Sequence, residues 1–171
     1  MSWFDRARFV LALSMASALS GCFQPLYSEA AHPGVAEAMK QVEVPEIPGR
    51  LGHYLADDLI TQMNGTGETP APKYRLQVAV PEKPQETTPT VQSQIAFASS
   101  ATLIETANIT LTAIATGKVI YHGEATAIAP FDRSFNSYAN LRASRDAELR
   151  LARSLADEIA QRVGAAIAKD I

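Results

Sequence analysis

The sequence predicts an α+β fold, a two-layer sandwich in which a four-stranded, mainly antiparallel sheet carries two helices on one face. Three observations lead there. From Leu103 to Ala129 apolar and polar residues alternate around a central Thr116-Gly117 turn, the period of paired, half-buried strands. Two separate stretches, near residues 50–63 and 141–166, repeat apolar residues every three or four positions, the period of helices packed on one side. Hydrophobic residues make up 47% of the chain, enough for one core, although many of them are alanine and bury little area each.

The chain starts with a basic head, Arg6 and Arg8, followed by the uncharged run from Phe9 to Leu19 and the small-residue exit Ser20-Gly21 before Cys22. That is the layout of a secretory signal. The run is too short for a membrane span, which needs ~20 apolar residues. Cys22 is the only cysteine, so its thiol is available to take a lipid and no disulfide forms within the chain. Leu19-Ser20-Gly21-Cys22 resembles the lipobox of bacterial lipoproteins, and the resemblance implies a diacylglyceryl and an N-acyl group on Cys22. Three acyl chains, at ~0.8 kcal/mol per buried methylene, would make release from a bilayer negligible. The other reading is an ordinary signal peptide, cleaved after Ala16-Ser17-Ala18, with a chance cysteine. Residues 1–21 are expected as signal, 22–40 as lipidated N-terminus and tether, and 41–171 as a single domain.

Pro25 within Phe23-Gln24-Pro25-Leu26-Tyr27 favours an extended path. Ser28 to Met39 has weak helical character. Val42 and Val44 alternate with Gln41 and Glu43, a short strand ended by Pro45 and Pro48. Leu51, Tyr54, Leu55, Leu59 and Met63 line one face of a helix from about Arg50, stopped at Gly65. A loop of glycines and prolines runs from there to Lys73. Tyr74, Leu76, Val78 and Val80 alternate with polar neighbours as a strand. The proline-punctuated run Pro81 to Pro89 is expected to be loop. Val91, Ile95, Phe97, Leu103, Ala107, Ile109, Leu111 and Ala113 share one parity, with a break expected at Ala98-Ser99-Ser100. The opposite parity reads Ile104, Thr106, Asn108, Thr110 and Thr112, a mostly hydroxyl-bearing wet face. Leu103–Ala115 and Lys118–Ala129 form the expected hairpin. Leu141, Leu151, Ala152, Leu155, Ile159, Val163 and Ala166 make the stripe of a long last helix. The strands are expected to lie side by side in chain order.

Charge and chemistry exclude several classes. The formal net charge is −3, and no Lys/Arg cluster of the phosphate-tracking kind occurs, so no nucleic-acid partner is expected. His32, His53 and His122 have no second ligand at metal spacing. Asp57 and Asp58 are adjacent on a helix and diverge by about 100°. Glu82 and Glu86 lie in a polar loop with no apolar wall to shift a pKa. Neither a nucleophile elbow nor a phosphate loop is present. No enzyme, metal or cofactor is expected.

The chain is also similar to a known family. Gly21-Cys22-Phe23-Gln24-Pro25-Leu26-Tyr27, then Thr116-Gly117-Lys118-Val119 with Gly123, then Ser134-Phe135-Asn136-Ser137-Tyr138-Ala139, and finally Arg145-Asp146-Ala147 and Leu155-Ala156-Asp157-Glu158-Ile159 resemble, in this order, the lipopolysaccharide-assembly lipoproteins of the LptE family in their alphaproteobacterial form. The family's usual glycine after the cysteine is absent here. The resemblance implies two helices on a four-stranded sheet. It also implies a place inside the outer-membrane β-barrel LptD as a one-to-one plug, a role in that barrel's assembly, and binding of lipopolysaccharide during its insertion into the outer leaflet. Phe23, where an aspartate would retain a lipoprotein at the inner membrane, implies the outer membrane, on its periplasmic side.

Two surfaces are candidates. Lys118 at the hairpin tip and Arg133 in the aromatic loop after it would suit lipid phosphates and acyl chains, or are two solvated charges. The hydroxyl face carrying Thr106, Thr110 and Thr112 would face the polar lumen wall of a barrel, or is a plain wet face. A different function from the same parts is a periplasmic-facing outer-membrane lipoprotein that binds or shuttles phospholipid or supports another transport complex.

Overall fold

The computed structural model describes residues 33–65, 70–88 and 99–171. Chain contacts separate Met1–Gly34 from Val35–Ile171, and the elements of the fold belong to the second unit. The leader, Cys22 and the strand signal at Val91, Ile95 and Phe97 lie outside the described residues.

The unit is α+β, as the sequence predicts. Its elements run α1 (Val35–Met39), β1 (Val42–Glu43), α2 (Gly49–Asn64), β2 (Tyr74–Ala79), β3 (Gln85–Thr87), β4 (Ser100–Ala113), β5 (Val119–Asp132) and α3 (Ser137–Asp170). The hairpin β4–β5 is its backbone, paired antiparallel from Ser100↔Asp132 to Thr112↔Val119. Thr116-Gly117 makes the reversal, with Gly117 at φ 67°, a backbone region costly to any residue with a Cβ. Near the tip the register shifts between Leu111, opposite Tyr121, and Thr112, opposite Val119, which leaves Ile120 as the extra residue of a bulge.

The strand order differs from the expected meander. β4 is central. One edge of it pairs with β5, and its other edge is shared. β2 pairs antiparallel along its second half, from Tyr74↔Ala113 to Ala79↔Asn108. The short β3 pairs along its first half, from Gln85↔Ile104 to Thr87↔Thr102. β1 then adds to β2 in parallel, so the sheet has five strands and is mixed. The segment Pro81–Pro89, expected as loop, thus contains a strand. Its prolines flank Gln85–Thr87 instead of interrupting it, and an edge position tolerates them.

Alternation decides the two faces. Tyr74, Leu76 and Val78 of β2, Leu103, Ala107, Ile109 and Leu111 of β4, and Ala125, Ala127, Ala129 and Phe131 of β5 are buried on one side. The helices cover that side. α2 offers Leu51, Leu55, Leu59 and Met63, and α3 offers Leu151, Leu155, Ile159, Val163 and Ile167, all buried. The alanines of β5 face the alanine-rich α3, so backbone lies close to backbone along that contact. Tyr121 lies across Gly123, where a Cβ would come within 2.5 Å of the tyrosine oxygen. That path lets the hydroxyl reach Arg162 Nη1 at 3.2 Å and ties β5 to α3.

Two further departures from expectation have plain causes. α1 packs Val35, Ala38 and Met39 into the core, so the compact unit begins before Gln41. Leu141, expected in the core stripe, is 48% exposed, because α3 begins past the end of the sheet that would cover it. Glu105 stands on the oily parity of β4 and is only 4% exposed.

Candidate functional site

One face of the sheet is left uncovered by the helices of the fold. Thr102, Ile104, Thr106, Asn108, Thr110 and Thr112 project from β4 on the side opposite the core, and every one is exposed or half-buried. Alternation brings Thr106, Thr110 and Thr112 together on this one face. Cross-strand pairing orders them. Thr106 stands opposite Thr126, with their hydroxyls 2.9 Å apart. Thr110 stands opposite His122, its hydroxyl 3.1 Å from Nδ1. Ile104 faces Ile128, which is exposed on the same side. On the other flank Gln77 sits beside Thr110 and Arg75 beside Thr112. Arg75 Nε donates to Glu43 Oε2 at 3.0 Å, carrying the polar row to β1.

The face is therefore rich in hydroxyls, with charged side chains among them at Glu43, Arg75 and Glu124, the last standing opposite Asn108. Each threonine hydroxyl can both donate and accept, while its branched carbon keeps strand geometry stiff. Such a surface can hydrogen-bond to another polar wall. Beside it, along β2, a pocket of about 420 Å³ is lined by Pro45, Ile47, Gln77, Ala79, Asn108 and Thr110 among others. Among the described residues no set of His, Cys, Asp or Glu side chains is grouped to hold a metal, and no helix is long and apolar enough to cross a membrane.

The other expected pair is not one site. Lys118 precedes β5 and Arg133 comes after it, so fourteen residues of extended strand, roughly 45 Å, stand between them. Lys118 lies 3.8 Å from Asp170 at the end of α3. Arg133 is half-buried, and its N–H donates to Ser99 O at 2.8 Å.

Sequence reasoning missed the carboxyl chemistry inside. Glu105 Oε1 accepts from Thr106 N at 2.9 Å, and Oε2 is buried with no hydrogen-bond partner among the described residues. Burial holds this carboxyl above its ordinary value, and the Thr106 N–H only partly offsets that. Its place in the alternation was the available signal. Glu148, 11% exposed at its side chain, receives Arg50 at two atoms, Nε at 2.8 Å and Nη2 at 2.6 Å, and so locks the start of α2 to α3. No periodicity links residues 98 positions apart.

No protein-family model matches this sequence, and no curated protein does. Solved structures do match its fold. A protein described as a lipoprotein from Caulobacter crescentus superposes with a TM-score of 0.65 at 19% identity, over 77% of this chain and 94% of its own. A minor lipoprotein from Acinetobacter baumannii gives 0.50 at 17% identity, over 72% and 88%. At such identities the likeness is one of fold, and it extends over nearly the whole of the Caulobacter protein.

Proposed function

We propose that this chain is an outer-membrane lipoprotein, acylated on Cys22, that seats its domain as a non-catalytic plug in a β-barrel of the LptD type, aids that barrel's assembly and binds lipopolysaccharide during its insertion into the outer leaflet. The observation that carries the reading is the open threonine face. A domain with a complete core on one side leaves a long, stiff, hydroxyl-rich sheet surface on the other. The lumen of a membrane barrel is polar, with alternating side chains of its own, and a threonine face offers it hydroxyls that both donate and accept. The lipobox-like start, and a fold shared with two proteins described as lipoproteins, support the membrane tether. In this reading Lys118 and Arg133 act at opposite ends of the domain, each able to meet a lipid phosphate separately.

The test is a pull-down of the full chain from detergent-solubilised envelopes, with photo-crosslinkers at positions 106 and 110. A stable one-to-one complex with a large barrel, and adducts from both positions, are expected. A lipid-loaded monomer with no barrel would favour a phospholipid shuttle and overturn the plug. An unacylated Cys22 in the membrane fraction would overturn the tether.

A further inference from the structure

We propose that the outward face of the first half of α3, together with the turn before it, docks on an anionic phospholipid surface. Tyr138, Arg142, Arg145, Leu149 and Arg153 succeed one another at spacings of four, three, four and four residues. At 100° per residue they form one stripe, and all five are exposed. The three arginines have no hydrogen bond or ion pair among the described residues. The neighbouring acids are occupied elsewhere, Asp146 by Arg150 at 3.0 Å and Glu148 by Arg50. In a chain of net charge −3, this is positive charge gathered in one place.

Phe135 stands at the head of the stripe, 90% exposed, with Tyr138 70% exposed. Their exposure is built in. Asn136 Oδ1 accepts from Tyr138 N and Ala139 N at 3.0 and 3.2 Å, capping α3. Asn140 clasps Ser134 by accepting from its N–H at 2.7 Å and donating to its carbonyl at 2.9 Å. The turn is therefore pinned to the helix while its aromatic ring points into solvent.

The chemistry fits a bilayer. Guanidinium forks bind phosphates at two points, while Phe, Tyr and Leu enter the boundary between headgroups and acyl chains. A protein interface would gather its apolar residues into a charge-depleted core; here arginines separate them along one helix surface. The stripe binds by itself, and the tethered reading of Cys22 would add to it by holding the domain near a membrane at high effective concentration.

The chain lacking residues 1–22, whose described part contains a complete core, is sedimented with phosphatidylethanolamine vesicles with and without phosphatidylglycerol. Binding is expected only to the phosphatidylglycerol vesicles, and it should fade as salt is raised. Reversing the stripe with Arg142→Glu, Arg145→Glu and Arg153→Glu should weaken it at least about tenfold, and the three Arg→Gln changes should weaken it less, with an unchanged thermal melt in each case. Phe135→Ser with Tyr138→Ser should lower affinity while leaving the salt dependence. Equal binding to both vesicles, or full binding by the glutamate variant, overturns the proposal. So does a salt-sensitive dimer that ignores vesicles, which would assign the stripe to a second copy, or binding to lipopolysaccharide alone. The acyl mass on Cys22 is measured separately, so failure of the tether is distinguishable from failure of the stripe.

Discussion

Glu105 shows how one side chain can oppose the pattern around it. Its neighbours on the buried face of β4 are Leu103 and Ala107, and one of its oxygens has no hydrogen-bond partner among the described residues. Burial raises its pKa in the folded chain, so the folded state holds the proton more tightly than the unfolded one. Stability is then greatest below the ordinary carboxylate range and is lost as pH rises through the raised folded value. Glu105→Gln removes the charge. It should stabilise the domain near neutral pH by about 1 kcal/mol, the scale of one unsatisfied buried group, and the gain should vanish toward acid pH, where the carboxyl is already protonated. Chemical denaturation at the two pH values checks this; an equal gain at both would show that the carboxylate is not the cause. The alternation placed this residue inside, but only packing shows that no cation among the described residues comes to meet it.

At the scale of elements, α3 gives the core more buried residues than any other element described. Leu151, Leu155, Ile159 and Val163 are fully buried between the sheet and α2. Leu155→Ala should cost about 2–5 kcal/mol, and Leu155→Asp should unfold the domain, as read from its thermal melt. An unshifted melt would place the stripe outside the core. The link between helices is polar as well. Arg50 covers the nearly buried Glu148 at two atoms, and Arg50→Ala should lower stability by roughly 1–3 kcal/mol by leaving that carboxylate uncompensated. Glu148→Gln added to it should recover part of the loss in the same denaturation assay. The 3.6-residue period made both helices legible in the sequence. It did not show where coverage ends, which is why Leu141 is exposed and why the arginine stripe starts there.

The whole unit is a long plank. β4 spans fourteen residues and α3 thirty-four, roughly 45 and 50 Å. Its two ends differ. The hairpin tip holds Lys118 near Asp170, close to where β1 joins β2, while the aromatic turn and arginines occupy the other end. The chain enters through α1, whose buried residues belong to the same core. A version starting at Gln41 should therefore be less stable than one starting at Val35, by about 3 kcal/mol for Val35 and Met39 together. Equal urea midpoints would show that α1 adds nothing to the core.

The sequence alone determined which residues pair into the hairpin, which face of it is wet, and which two stretches are helices. Alternation, turn chemistry and helical period act over a few residues, so they are legible without a fold. Tertiary structure decided the rest: that β2 and β3 share one edge of β4, that Lys118 and Arg133 stand at opposite ends, and that Glu148 meets Arg50 across the helices. Each of these depends on contacts between distant parts of the chain, where sheet geometry and burial choose among partners that local patterns leave equivalent.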